Sequence, residues 1–136
     1  MRKIAAVAGA LVLLAVPSAA SATTAQPAFS AVCHTTAQSD HCQSLSSPVS
    51  AGNYYLDYDV SGPAGALVYA ELSVNGATIC HTATSPNVLQ LDGNGRASGT
   101  VGCAYTNGGT GVLYGQTETE TGSGNVLTFS MDARRA

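Results

Sequence analysis

The chain has no tryptophan, a single lysine, and few charged residues of either sign. That lysine, Lys3, stands beside Arg2 at the start of the chain. The other basic residues are Arg96, Arg134 and Arg135, set against eight acidic residues. Three arginines, two of them next to the C-terminus, cannot assemble the cationic surface that a polyanion requires, so nucleic acid is excluded as a partner. Anionic membrane surfaces are disfavoured for the same reason. There is no Asn-x-Ser/Thr sequon and no Gly-x-Ser-x-Gly elbow, and the even cysteine count leaves no obvious free thiol nucleophile. Past residue 16, no apolar run is long enough to cross a bilayer.

The N-terminus has the three parts of an export signal. Met1-Arg2-Lys3 is basic, and Ile4 to Val16 is an uncharged apolar run of 13 residues. At 1.5 Å rise per residue that run is too short to span a membrane. Pro17 breaks the helix, and Ala20-Ser21-Ala22 supplies small residues for signal peptidase, which places cleavage after Ala22. Ala20 is the competing cleavage position. Removing 22 of the 136 residues leaves 114, enough for one domain with one core. The mature part is lysine-free with a net charge of −5, and the composition resembles that of proteins exported by high-GC bacteria.

Cys33, Cys42, Cys80 and Cys103 in an exported small domain read as two disulfides. Of three possible connectivities, Cys33–Cys42 and Cys80–Cys103 are favoured: one closes a local loop and the other joins two expected strands. Each closure contributes roughly 3 kcal/mol, a large share of a typical stability of about 5–15 kcal/mol.

Along the mature chain, residues 23–51 read as a loose N-terminal arm, the Cys33–Cys42 loop and a Ser-rich connection ending at Pro48. The body, residues 52–136, alternates with a period of two. Tyr54, Leu56, Tyr58 and Val60 share one face, with Asp57 and Asp59 on the other. Val68, Ala70, Leu72 and Val74 repeat the pattern opposite Glu71 and Ser73. Asn75-Gly76 is the preferred type I′ hairpin dipeptide, and a two-residue turn sets Thr78 opposite Ser73 and Ile79 opposite Leu72. Further strands are expected at 88–91, 97–105, 112–121 and 126–132, the last with Leu127, Phe129 and Met131 on one face. The fold class is therefore all-β, a small antiparallel sandwich of about seven strands, immunoglobulin-like or similar, braced by two disulfides.

Candidate chemistry is sparse. Each histidine adjoins a cysteine (Cys33-His34, His41-Cys42, Cys80-His81), but neighbours on extended backbone face opposite ways, so no zinc site is assigned. The carboxylate pairs Asp57/Asp59 and Glu118/Glu120 alternate with polar residues as a solvated strand face does. Asp92-Gly-Asn-Gly-Arg96 puts arginine where a calcium loop needs oxygen, and reads as a turn. The glycine runs Gly93/Gly95/Gly99 and Gly109/Gly111/Gly115 also read as turns, since neither opens a helix. Tyr54 and Tyr58 belong to the core, whereas Tyr55, Tyr69, Tyr105 and Tyr114 are candidates for a binding surface.

The expectation is thus a secreted, extracellular, non-enzymatic protein with a binding or structural role. It has no catalytic residues, metal or cofactor assigned, and its partner is an extracellular protein or a small ligand. The alternatives are a protease inhibitor presenting residues 34–41 or the Tyr105–Gly111 turn, a small-ligand carrier, and an extracellular hydrolase.

Overall fold

The computed structural model describes residues 27–82, 89–117 and 126–136. Ten strands run in the order β1 (Pro27–His34), β2 (His41–Gln43), β3 (Ser47–Val49), β4 (Tyr54–Ser61), β5 (Leu67–Val74), β6 (Ala77–His81), β7 (Leu89–Gln90), β8 (Arg96–Gly102), β9 (Gly109–Thr117) and β10 (Thr128–Arg135). They form two antiparallel sheets. The first has the order β1-β10-β4-β8; the second has the order β2-β9-β5-β6, with β3 also on β9 and β7 also on β5. No helix among the described residues is long and apolar enough to cross a membrane.

Both expected disulfides are present, Cys33–Cys42 and Cys80–Cys103. Each joins an edge of one sheet to an edge of the other. The first ties β1 to β2, and the second ties β6 to the residue just past β8. The two cross-links therefore close the two open sides of the sandwich, and indicate an oxidising environment.

The period-two patterns bury the faces they assign. Leu56, Val60, Val68, Ala70, Leu72, Leu127, Phe129 and Met131 are fully enclosed between the sheets. Tyr54 is buried as well, and its phenol donates to the carbonyl oxygen of Ser50 four residues upstream, at 2.9 Å. This is a tyrosine corner, which fixes how the chain enters a sandwich strand. Tyr58 is half-buried against the same core.

Three expectations are corrected. The segment read as a loose arm and connection supplies strands: β1 pairs with β10 along its length, while β2 and β3 pair with β9. Its inward residues, Phe29, Ala31 and Cys33, alternate with outward Ala28, Ser30 and Val32, two of which are apolar as well, so no polar-apolar period is visible. Secondly, Gly109–Gly115 is not a turn but lies within β9. Glycine stands there because neighbours fill the space: a Cβ on Gly115 would lie 2.6 Å from the Phe129 ring of the opposite sheet, and one on Gly111 2.5 Å from Val49 on the adjoining β3 and 3.2 Å from the Phe29 ring across the sandwich.

Thirdly, Ile79 does not sit opposite Leu72. The Asn75-Gly76 turn has positive φ at both residues (52° and 79°), and Ser73 pairs with Thr78 as expected. One extra residue then enters β6, so that Leu72 pairs with Cys80 and Glu71 with His81. The bulge absorbs Ile79, whose carbonyl accepts from the Ala104 N–H at 2.8 Å. Without it, Cys80 would follow Glu71 to the outside and could not reach Cys103. A one-residue shift exchanges the faces of a strand.

The Gly115–Phe129 contact sets a clear expectation. Gly115→Ala should cost about 1–3 kcal/mol by overpacking, a fall of roughly 5–12 °C in thermal midpoint. Adding Phe129→Leu should make the double variant less unstable than the two single effects combined, as thermal unfolding would show.

Candidate functional site

The outer face of the second sheet is built from alternate residues of its strands. One row across it reads His41 on β2, Gln116 on β9 and Tyr69 on β5. The next reads Gln43 on β2, Tyr114 on β9, Glu71 on β5 and His81 on β6. Adjacent strands are about 4.8 Å apart, so the four-residue row is roughly 14 Å long. Two ring stacks run diagonally between the rows. His41 lies on Tyr114 with centroids 5.9 Å apart and planes at 24°, and His81 lies on Tyr69 at 5.7 Å and 25°.

Glu71 sits between the stacks. Its Oε2 accepts hydrogen bonds from the Tyr69 phenol and from the Thr78 hydroxyl, the latter at 3.1 Å. The Tyr114 phenol donates to Gln116 Oε1 at 3.1 Å, and His41 Nδ1 contacts Asp40 Oδ1 at 3.0 Å. His81 Nδ1 is buried and has no hydrogen-bond partner among the described residues. Burial, then the hydrogen bond and charge of Glu71, push the Tyr69 phenol well above its ordinary value. Burial also raises Tyr114, followed by the charges of Asp40 and Glu71. Both phenols therefore remain protonated donors through neutral and mildly alkaline pH.

The structure brings together two of the four candidate tyrosines, Tyr69 and Tyr114. Tyr55 lies on the outer face of the first sheet with the Arg134 guanidinium 4.7 Å from its ring centroid. Tyr105, 62% exposed, is in the connection from β8 to β9. His41, His81 and Glu71 were not chosen from the sequence. Glu71 was visible as an outward residue of an alternating strand, but His81 reaches this face only because of the bulge. Each histidine points away from the cysteine beside it: Cys33 and Cys80 are buried while His34 is exposed and His81 is on the outer face. His34 instead pairs through Nδ1 with the Thr128 hydroxyl at 3.0 Å.

The other face has different chemistry. On the first sheet, Asp57 accepts from Arg134 Nε at 2.8 Å and Nη2 at 3.3 Å, and from the Thr100 hydroxyl at 2.6 Å. Asp59 is paired with Arg96. Glu118, Glu120 and the cleavage residues Ala20 and Ala22 lie outside the described residues. Asp92 closes its turn by accepting from the N–H groups of Asn94 at 2.8 Å and Arg96 at 3.0 Å. No group of three or more metal-ligating side chains occurs among the described residues. A groove of about 460 Å³ opens between β1 and residues 43–47, flanked by exposed Val32 and Leu45 and lined by no charged residue.

A scan against protein-family models finds no match, and a search of curated proteins finds none either.

The Asp57–Arg134 contact has a testable pH signature. Arg134 lowers the Asp57 carboxyl below its ordinary 3.8, against a smaller opposing effect of burial. A depressed folded-state value means that stability is fully present above about pH 4–5 and is lost as the pH falls through the folded value. Asp57→Asn should therefore lower the thermal midpoint at pH 6, and the gap from the unaltered protein should narrow as the pH falls below 3.8 and through the folded value, as paired melting curves would show.

Proposed function

We propose that the mature chain, residues 23–136, is an extracellular, non-catalytic binding module whose ligand lies on the outer face of the second sheet. The observation that carries this reading is the convergence of His41, Tyr114, Tyr69 and His81 around Glu71. Half-buried tyrosines offer apolar ring surface beside fixed polar groups, which suits a small ligand with a ring or other apolar frame and polar substituents. The rings also stand on strands rather than loops, so little order has to be imposed on binding.

Other features support a non-catalytic role. Asp57 and Asp59 are held by arginines and serve the sheet rather than a cleft. The 34–41 loop closes on itself through reciprocal backbone hydrogen bonds between Thr36 and Ser39, leaving little extended chain to lie along a protease. The leader and the oxidised cysteines support export. Protein recovered from culture medium should begin at Thr23; a product retaining the leader would contradict the export route.

Binding is tested by titrating isotope-labelled mature protein with a panel of small ring compounds and following amide resonances. Shifts should cluster at residues 41, 69, 71, 81, 114 and 116. Tyr69→Ala and Tyr114→Ala should each weaken the affinity roughly tenfold, as expected when aromatic contact area is removed. Shifts confined to the β1 groove, or none across the panel, would refute the reading.

A further inference from the structure

Positive charge is unevenly divided between the two sheets. Arg134 and Arg96 are committed to Asp57 and Asp59 on the first sheet, and Arg135 donates to the Ala51 carbonyl at 3.0 Å. The outer face of the second sheet carries Glu71, with Asp40 at its β2 border, and neither lysine nor arginine among the described residues. Asp40 is in contact with His41, whereas Glu71 has no cationic partner among them. Among the described residues, both hydroxyls that donate to Glu71 use the same oxygen, Oε2, and none donates to Oε1.

A half-buried carboxylate with one open oxygen, flanked by tyrosine rings, is complementary to a positively charged hydrogen-bond donor. The rings act in the same direction, because aromatic faces attract cations. An anionic ligand would meet two carboxylates and no counter-charge. Resting on the reading of this face as the binding surface, the geometry points to a ligand class: a protonated amine attached to a ring or apolar frame, with the ammonium at Glu71 Oε1. The test is set at pH 8, where an alkylamine is still protonated.

The test uses two probes of the same shape, 2-phenylethylamine and 2-phenylethanol, titrated at pH 8 into the labelled, disulfide-intact mature protein. The amine should bind roughly tenfold tighter than the alcohol, the usual size of a charge-assisted hydrogen bond. In Glu71→Gln, which keeps an acceptor for Tyr69 and Thr78, the preference should shrink to within about twofold. Rising salt should weaken the amine and leave the alcohol unchanged in the unaltered protein, a readout that does not depend on the variant folding. Equal binding of both probes at this face, or a preference surviving in Glu71→Gln, overturns the amine assignment while leaving the binding face standing. If neither probe perturbs residues 41, 69, 71, 81 or 114, both the ligand class and the binding face are overturned.

Discussion

Two covalent ties, one along each open side, hold the sheets face to face. The four cysteines stand on or beside β1, β2, β6 and β8, the ends of the two main strand orders, so none of these four depends only on its hydrogen-bonded neighbour. A chain of this size buries about two-thirds of its unfolded surface, and on β9 two of the core-facing positions, Gly111 and Gly115, contribute no side chain. Restricting the unfolded chain offsets that shortage. Edge strands invite pairing with other chains; here β1, β2 and β6, and the chain just past β8, are fastened across the sandwich by cysteine.

With the interior fixed in this way, the two outer faces are free to differ. One matches Asp57 and Asp59 with arginine, leaving Asp132 beside them without an arginine among the described residues. The second gathers rings around a carboxylate that no lysine or arginine answers among the described residues. This contrast underlies the proposed division into a structural face and a binding face. It follows from a composition with so few arginines: once Asp57 and Asp59 have theirs, little positive charge is left for the opposite side.

Much of the architecture was legible in the alternation of apolar and polar residues. The inward faces of β4, β5 and β10, the Asn75-Gly76 turn and both disulfide pairings could be read from spacing and composition. What escaped was set by distant partners. Gly111 and Gly115 look like turn residues because the reasons for their small size lie far along the chain, in Val49 on β3 and in Phe129 on the opposite sheet. β2 and β3 are only three residues long, and β1 is apolar on both faces, so none shows clear alternation; they pair with β9 and β10. Of the proposed binding face, Tyr69 and Tyr114 were visible as candidates, but their grouping with His41 and His81 required the strand order β2-β9-β5-β6. No local pattern encodes that order.

The extra residue in β6 ties together two properties that would otherwise be independent. By turning Cys80 inward it permits the cross-link to Cys103; by the same rotation it sends His81 outward to rest on Tyr69. A deletion anywhere between the Asn75-Gly76 turn and Cys80 would strip the molecule of a brace and a ring at one stroke. The length of this hairpin arm is therefore constrained from inside and outside at once, which leaves it among the segments of the chain least free to gain or lose a residue.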